Sequence, residues 1–285
     1  MTMPELSFAD VVQPAWNVSP RVRALVTTRN GGVSDAPFGR WQDGVDLPGG
    51  LNLGMKSGDD PAAVTANRAR LLKLADVSEV AWLEQIHGAG IVRAEGVLAQ
   101  AHASGAPTPA DASVTDRPGM VCAVMVADCM PVLLCDEAGR AVGAAHAGWR
   151  GLAAGIVEQT AQRVAELAGV EAGALHAYLG PSIGPDAFEV GADVRDAFMN
   201  GVGHAQRDAT ANAFVAHPQN PGKYLADLPA LARLRLQTLG VTRIVGGDMC
   251  TVTLRERFYS YRRDRDTGRM AALIWLDDQA QPIAD

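Results

Sequence analysis

The sequence is short of the features that mark disulfide-rich proteins. It has only four cysteines in 285 residues, and three of them, Cys122, Cys129 and Cys135, lie within one short apolar stretch. Strand neighbours this close do not readily form disulfides with one another, so we expect reduced thiols. A chain of this length also buries a core large enough to fold without disulfides or a structural metal.

The sequence also lacks a basic surplus and a long apolar run, and its first residues do not predict a signal peptide. The net charge of −7 and the pI near 5.4 argue against nucleic acid or an anionic membrane as a partner. The longest apolar run, Met120 to Cys135, is interrupted by Asp128 and Pro131 and is too short to cross a bilayer. The N-terminal stretch is acidic and lacks the basic and apolar regions of a signal peptide. We therefore expect a cytoplasmic protein.

Strands and helices are predicted to mix along the chain without strict alternation. Apolar, β-rich runs predict strands over residues 22–28, 79–86, 91–95, 121–127, 131–135, 141–145, 175–179, 241–245 and 271–276. Helical spacing of apolar residues, or a Pro start and a Gly stop, predicts helices over residues 62–75, 151–168, 194–199 and 225–239. Loop-like composition predicts loops over residues 35–60, 98–113 and 201–222. With no internal repeat and no low-complexity linker, the pattern predicts a single α+β domain over residues 1–285, with a mixed β-sheet.

Three residues far apart in the chain are the strongest candidates for a catalytic site. His87 in WLEQIHG, Cys129 in ADCMPVLL and His146 in AHAGWRG each follow a predicted strand. Two imidazoles and one thiolate provide three metal ligands and leave a fourth position open, which is typical of catalytic rather than structural zinc. The spacings of 42 and 17 residues are too long for a zinc finger. The fold would have to bring the three side chains together.

Each of these residues also has a simpler structural interpretation. Cys129 precedes Pro131, and a proline in a predicted strand indicates a bend that could re-aim a side chain toward a site. Cys129 could equally be a small buried apolar residue, like Cys122 and Cys135. A single histidine such as His87 is more often structural than a ligand, and only its company with Cys129 and His146 argues for a site.

Two neighbouring residues are further catalytic candidates. Asp128 could orient a ligand or act as a general acid or base, or it could be an ordinary turn carboxylate. Arg150 lies next to the start of a predicted helix, where its guanidinium and the helix N-terminus could bind phosphate or a carboxylate. Alternatively, Arg150 covers Trp149 through a cation–π contact. Together with Cys129 and His146, these residues make up the predicted catalytic set.

Weaker candidates for substrate or phosphate contacts lie in three other segments. They are Arg29 in TTRNGGVS, Gln85 in WLEQIHG, and Arg262 and Arg263 in the segment RFYSYRRDRDTGRM. The last segment carries five arginines and two tyrosines, and its composition alone is that of a solvated basic loop. The embedded aromatic residues instead suggest packing near a polar ligand.

The residue types leave two other kinds of chemistry open. Two histidines, one cysteine and a nearby methionine are also the ligands of a blue-copper site. In a regular strand, however, Met130 points to the opposite face from Cys129, which makes it a poor axial ligand. A metal-free hydrolase is the third interpretation, with Cys129 as nucleophile and His146 as base.

Several long motifs resemble one known family almost from end to end. They are TTRNGGVS, LNLGMKSGDDPAAVTANR, WLEQIHG, ADCMPVLLCD, AHAGWRGL, GPSIGPDAFEVG and RFYSYRRDRDTGRMA, and together they resemble the laccase-domain family of multicopper polyphenol oxidoreductases. The resemblance implies a zinc-dependent purine nucleoside enzyme that phosphorolyses adenosine, inosine and methylthioadenosine and deaminates adenosine. Its metal ligands fall on His87, Cys129 and His146. It also implies a layered β-sheet core flanked by helices, similar to toxin-deamidase-like cysteine hydrolases.

The resemblance leaves a rival activity and a rival role. A copper-dependent phenol oxidase with a full set of copper centres needs many more histidines than the six present, so we rank nucleoside chemistry first. Some relatives are linked to quality control of peptidoglycan precursors, and the sequence does not decide that role. The expected partners are a purine nucleoside and phosphate, with zinc as the metal and copper as the alternative; the oligomeric state is left open.

Overall fold

Two β-sheets stacked face to face form the centre of the fold. The computed structural model describes residues 5–278. The predicted domain limits of 1–285 include residues 1–4 and 279–285, which lie outside the described residues, so these limits stay a prediction. The described residues form an α+β arrangement of mixed sheets and flanking helices, which confirms the predicted fold class.

Within residues 5–278, the strands form two large and three small sheets, except for Asn30–Ser34, which makes only isolated bridges. In chain order they are β1 (Val11–Val12), β2 (Val22–Thr27), β3 (Asn30–Ser34), β4 (Arg40–Gln42), β5 (Val45–Leu47), β6 (Leu83–Glu84), β7 (Ile91–Arg93), β8 (Thr108–Pro109), β9 (Ala112–Thr115), β10 (Cys122–Val126), β11 (Met130–Asp136), β12 (Val142–Ala147), β13 (Leu175–Leu179), β14 (Glu189–Gly191), β15 (Phe214–Ala216), β16 (Lys223–Ala226), β17 (Arg243–Gly246) and β18 (Met270–Leu276). One large sheet has the order β1-β2-β18-β10, and the other has the order β17-β13-β11-β12-β9-β7. The second is mixed, because β13–β17 and β7–β9 are parallel pairs and the other pairs are antiparallel.

The helices flank these sheets. They are α1 (Pro61–Ala75), α2 (Ala94–Ser104), α3 (Trp149–Ala153), α4 (Ile156–Ala168), α5 (Ala192–Met199), α6 (Arg207–Asn212), α7 (Leu228–Gln237) and α8 (Tyr261–Asp264). Helix α1 is confirmed as predicted: Asp60 caps it by accepting from the Ala62 amide, and Pro61 occupies its first turn. Within residues 5–278, none of the helices combines the length and apolar character needed to cross a bilayer.

Side-chain alternation along the central strands produces the layers. In β11, Leu133 and Cys135 pack against the four-stranded sheet, whereas Val132 and Leu134 pack against α4 and α7. The outer face of the four-stranded sheet packs against α1 through Leu71. The layers therefore run from α1 through the two sheets to α4 and α7.

Two local predictions are wrong: the loop predicted over the Ala-rich residues 98–113 and the bend predicted at Pro131. The segment 98–113, predicted as a surface loop, contains most of α2 and the start of the buried strand β9, and the strand predicted over 91–95 is only the three-residue β7. Alanine is the strongest helix former, so this Ala-rich composition supports a helix. Pro131 lies inside β11, opposite His146 of β12. The bend occurs earlier, at Asp128, whose φ of +88° is unusual for a residue with a Cβ.

Other element boundaries also differ from the predictions. The helix predicted over 151–168 is broken into α3 and α4 by Gly155, whose φ is +85°. The helix predicted over 225–239 begins as α7 after the Asp227 cap, because the preceding residues pair in β16. The strand predicted over 79–86 is limited to β6, and the loops predicted over 35–60 and 201–222 contain β4, β5, α6 and β15.

Candidate active site

The fold brings His87, Cys129 and His146 into one cluster. Their candidate ligand atoms all lie within 4.8 Å of one another, and the two imidazole rings stand edge to face with centroids 4.8 Å apart. His87 follows β6, Cys129 lies in the crossover from β10 to β11, and His146 lies within β12. Zinc holds nitrogen ligands at about 2.0–2.1 Å and thiolates at about 2.3 Å, so atoms this close can share one ion after small side-chain rotations.

Asp111 organises the two histidines, although no sequence pattern singles it out. Its buried carboxylate accepts hydrogen bonds from the amides of Ile86 at 3.3 Å, His87 at 2.9 Å and Gly88 at 2.7 Å. It also pairs with His146 Nδ1 at 2.9 Å. This contact leaves His146 Nε2 as the ligand atom, the carboxylate–histidine arrangement that orients many metal ligands.

The backbone around His87 depends on the same carboxylate. His87 has a φ of +60°, in the left-handed region that residues with a Cβ rarely adopt. Three consecutive amides donating to Asp111 compensate for this conformation. Burial alone would raise the pKa of Asp111, but hydrogen bonds from His146 and from the Gly88 and His87 amides lower it below its ordinary value.

Cys129 and His146 shift each other's pKa toward the thiolate and the imidazolium. Burial would raise the pKa of Cys129, but the positive charge and hydrogen bond of His146, with a contribution from His87, lower it to about 6. Burial would lower the pKa of His146, but the Cys129 thiolate and the Asp111 carboxylate raise it to about 9. By contrast, burial raises the pKa values of Cys122 and Cys135, which pack in the core. The cluster thus favours the thiolate form that a metal requires.

Gly148 leaves room for the cluster. A Cβ at this position would lie 2.9 Å from Cys129 Sγ and 3.5 Å from His87 Cδ2. Both contacts are with candidate ligand side chains, so even alanine would push on the cluster. Glycine is therefore required here by close approach, since its own φ is ordinary at −64°.

The Asp128 carboxylate is held beside Cys129 by two short hydrogen bonds. Thr251 Oγ1 donates to Oδ1 and the Arg262 amide donates to Oδ2, each at 2.6 Å. These contacts leave each oxygen a second acceptor site. Asp128 is mostly buried, with 8% of its surface exposed, and it lines the same cavity as the cluster.

A cavity of about 1070 Å³ opens onto the three clustered residues. Its wall includes apolar and aromatic side chains, among them Trp82, Trp149, Phe188 and Tyr261. Cationic side chains outnumber acidic ones: Lys56, Arg68, Arg150, Arg262 and Arg269 line it, against Glu84 and Asp128. A mostly apolar cavity with a few convergent polar groups is typical of a small-molecule site.

Three of the predicted substrate contacts lie on this cavity. Arg150 is exposed and stacks 4.4 Å from the centroid of Trp149. Arg262 donates from Nη1 to the Glu189 carbonyl at 3.1 Å. Gln85 bonds through both ends of its amide to the Met125 backbone, which occupies the groups expected to contact substrate. The helix N-terminus argument for Arg150 does not apply, because α3 is only five residues long.

Two other predicted contacts are corrected by the structure. Arg29 is buried away from the cavity, where its guanidinium donates to the Gly39 and Arg255 carbonyls and pairs with Asp46 at 3.1 Å. Arg263 donates to backbone carbonyls, including that of Thr251 at 2.8 Å, and pairs with the adjacent Asp264. Both arginines have a structural role, because their guanidinium donors already bond to other groups of the protein. We therefore do not assign either of them a contact with substrate.

The geometry also bears on the copper and hydrolase alternatives. Met130 packs in the core between the six-stranded sheet and its helices, not on the cavity, so it is not an axial ligand. All six histidines lie within residues 5–278, and there the His/Cys/His cluster is the one group of three or more metal-ligating side chains found. Cys129 and His146 are close enough to act as a thiolate–imidazolium pair without metal.

Comparison with known proteins adds evidence from sequence. The family model described as multi-copper polyphenol oxidoreductase laccase matches residues 23–277. A purine nucleoside phosphorylase of Pseudomonas aeruginosa is 47% identical over 265 residues, covering 93% of this chain and 98% of that protein. Purine nucleoside phosphorylase YfiH of Escherichia coli is 47% identical over 267 residues, with the same coverage of the two chains.

Solved structures agree with the fold. A Neisseria meningitidis protein superposes with a TM-score of 0.81 at 47% identity, covering 94% of this chain and 99% of that one. YlmD from Geobacillus stearothermophilus superposes with a TM-score of 0.77 at 29% identity, again covering 94% of this chain and 99% of that one.

Proposed function

This chain belongs to the family of the multi-copper polyphenol oxidoreductase laccases, and we propose that it is a zinc-dependent purine nucleoside phosphorylase that also deaminates adenosine. The observation that carries the proposal is the His87, Cys129 and His146 cluster opening onto a cavity large enough for a nucleoside. Relatives named purine nucleoside phosphorylase, at 47% identity over 93% of the chain, support the substrate class.

Zinc is proposed over copper because of the donor set. One thiolate and two imidazoles, with His146 oriented by Asp111, suit a zinc site that keeps one position open. When bound there, zinc would supply Lewis-acid polarisation of a substrate or water oxygen. The protein residues would keep the thiolate ionised, hold both rings in place and enclose the substrate.

For phosphorolysis, an oxygen of phosphate forms a bond to C1′ of the ribose, and the bond from C1′ to the purine N9 breaks. Its electron pair leaves with the purine, which takes up the proton that the hydrogen phosphate loses. We assign Arg150 to the phosphate, at the solvent side of the cavity, and Arg262 to a lesser substrate contact. A guanidinium group beside the phosphate offsets its negative charge in the cavity and orients its oxygens for attack on C1′.

For deamination, water adds to C6 of adenosine and the amino group leaves as ammonia. We assign the proton transfers to Asp128, which would take a proton from the water and return one to the departing amine. Its two short hydrogen bonds hold the carboxylate in one orientation beside Cys129. The substitution Asp128→Asn should abolish deamination, because the asparagine side chain cannot accept a proton from water.

Two finer expectations belong to this proposal. We place the protein in the cytoplasm, with a purine nucleoside and phosphate as its partners and without nucleic acid. The toxin-deamidase-like fold remains a proposal, and it fits a Cys129–His146 pair at the end of a sheet crossover. No observation favours a role with peptidoglycan precursors, so we do not propose one.

One assay tests the proposed activity. Adenosine, inosine and methylthioadenosine are incubated with the protein, with and without phosphate, and the products are separated by chromatography. We expect phosphate-dependent release of the free base, and phosphate-independent conversion of adenosine to inosine. Free base released equally without phosphate would contradict phosphorolysis, and unchanged turnover in Cys129→Ala would place the reaction elsewhere.

The copper-dependent phenol oxidase remains the second candidate because of the family's description. It predicts copper in the protein as purified and oxygen uptake with a phenol as substrate. Elemental analysis and an oxygen electrode therefore separate the two candidates. Stoichiometric zinc with no phenol-dependent oxygen uptake supports the nucleoside enzyme.

A further inference from the structure

Two of the arginines that line the cavity, Arg68 and Arg269, are partly buried, and Arg269 is attracted from a distance by the Asp128 carboxylate and by Cys129. Neither forms an ion pair with a carboxylate of residues 5–278. Of the other charged residues on the wall, Lys56 pairs with Glu84, Arg262 donates to the Glu189 carbonyl, and the exposed Arg150 stacks on Trp149. Asp128 accepts from the Thr251 hydroxyl and from the backbone amide of Arg262. A partly desolvated arginine without a carboxylate in direct contact is costly, and two of them on one wall indicate an anionic ligand.

Arg68 is fixed by contacts that use little of its hydrogen-bonding capacity. Its Nε donates to the Leu53 carbonyl at 3.0 Å, and its guanidinium lies 4.3 Å from the ring centroid of Trp82. Nη2 lies 3.9 Å from the sulfur of Met125, which is a weak acceptor. Burial lowers the pKa of Arg68 to about 10. The side chain is held rigidly while donors on its outer edge remain for a ligand.

Arg269 also contacts the backbone of Leu53. The Arg269 carbonyl accepts from the Leu53 amide at 3.0 Å, and the Arg269 amide donates to Asn52 Oδ1 at 2.8 Å. Nη1 donates to the Thr267 and Gly268 carbonyls, at 2.8 and 3.1 Å. Nε and Nη2 of Arg269 have no hydrogen bond within residues 5–278.

The motif LNLG at residues 51–54 explains how both arginines come to the same wall. Leu53 bonds to Arg68 through its carbonyl and to Arg269 through its amide. A Cβ at Gly54 would lie 2.7 Å from Cγ of Arg269, so glycine lets that side chain lie across the backbone. Buried Asn52 fixes the segment by accepting from the Gly54 amide at 3.0 Å.

We propose that Arg68 and Arg269 together bind a phosphate group in the inner part of the cavity. Two guanidinium groups with free donors match the oxygens of a phosphate, which are three or four in number and carry up to two negative charges. The group would be either inorganic phosphate or the phosphate monoester of a nucleotide. This inference rests on the proposed function in one respect, namely that phosphate is a co-substrate. Arg150 would then contact the phosphate from the solvent side.

The test is direct binding, measured by titration calorimetry on the protein as purified at fixed ionic strength. Inorganic phosphate is the first ligand and adenosine 5′-monophosphate is the second. We expect Arg68→Gln and Arg269→Gln each to weaken phosphate binding about 10- to 100-fold, the effect of losing charge-assisted hydrogen bonds. Arg163→Gln, on the exposed face of α4, removes the same charge and should change the affinity less than twofold.

Protein integrity is checked by metal content and by the midpoint of thermal unfolding. If Arg68→Gln does not fold, Arg68→Lys and Arg269→Gln carry the test, because lysine keeps the charge but loses the paired donors. Tighter binding of the monophosphate than of inorganic phosphate, lost in both variants, assigns the subsite to a nucleotide. Equal phosphate affinity in wild type and in a folded Arg269→Gln overturns the proposal. Phosphate binding through these arginines without phosphorolysis leaves the inference standing and removes only the proposed function.

Discussion

The substitution Asp111→Asn tests whether one carboxylate assembles the metal site. Asp111 accepts four hydrogen bonds, from three consecutive amides at residues 86–88 and from His146 Nδ1. Asparagine keeps the shape but replaces one acceptor oxygen with an NH₂ donor. Whichever way the amide is turned, NH₂ faces two of the four donors. The clash with His146 is relieved only if His146 changes to the other tautomer, but that change protonates Nε2 and removes it as a ligand.

The size of the effect follows from those bonds. A hydrogen bond to a charged group contributes about 1.5–3 kcal/mol, so losing two should lower the free energy of unfolding by about 3–6 kcal/mol. Loss of a carboxylate that orients a ligating histidine typically lowers metal affinity about 10- to 100-fold. We expect both effects, since His87 also loses the contacts that support its φ of +60°.

The assay pairs zinc affinity, from competition with a chromophoric chelator, with urea unfolding of the metal-free protein. Asp208→Asn, at an exposed position in α6, is the matched control for the loss of one negative charge. It should leave the zinc affinity unchanged and lower the free energy of unfolding by no more than about 1 kcal/mol, the usual contribution of a carboxylate in the first turn of a helix. An Asp111→Asn protein with zinc affinity within twofold of wild type would refute the assigned role of this carboxylate.

Four further predictions follow. Cys129→Ala should remove both the metal and nucleoside turnover, and full turnover without metal would defeat the zinc mechanism. Gly148→Ala should weaken zinc binding more than it destabilises the fold, because the new methyl group would lie 2.9 Å from Cys129 Sγ; elemental analysis and thermal unfolding separate the two. Arg150→Ala should raise the KM for phosphate more than that for nucleoside, and an unchanged phosphate dependence would remove Arg150 from this role. In metal-free protein, alkylation of Cys129 by iodoacetamide should rise with pH around a midpoint near 6, because its lowered pKa makes the thiolate dominant above that pH; a midpoint near the ordinary value of 9.0 would contradict the paired imidazolium.

The predictions from sequence succeeded where a local pattern determines the structure. Pro61 and helical spacing identify α1, and apolar runs identify β10 to β13. The cluster of His87, Cys129 and His146 was predicted from residue types at strand ends, and the structure places their ligand atoms within 4.8 Å of one another.

The sequence could not reveal contacts that depend on three-dimensional proximity. Asp111 lies in an Ala- and Pro-rich segment that resembles a loop, and only the folded sheet places it under His87 and His146. Arg29 and Asp46 form an ion pair across 17 positions, so Arg29 looked available when it is structural. The same limit hid Gly148, since a glycine's need for space is visible only when its neighbours are known.

X-ray absorption spectroscopy at the zinc edge tests the central claim most directly. The protein as purified is predicted to contain one zinc with a single sulfur at about 2.3 Å and two imidazole nitrogens at about 2.0–2.1 Å. In Cys129→Ser, which is nearly isosteric, the sulfur scatterer should vanish. A wild-type spectrum without sulfur, or a spectrum unaffected by that substitution, would show that the metal is not bound at this cluster.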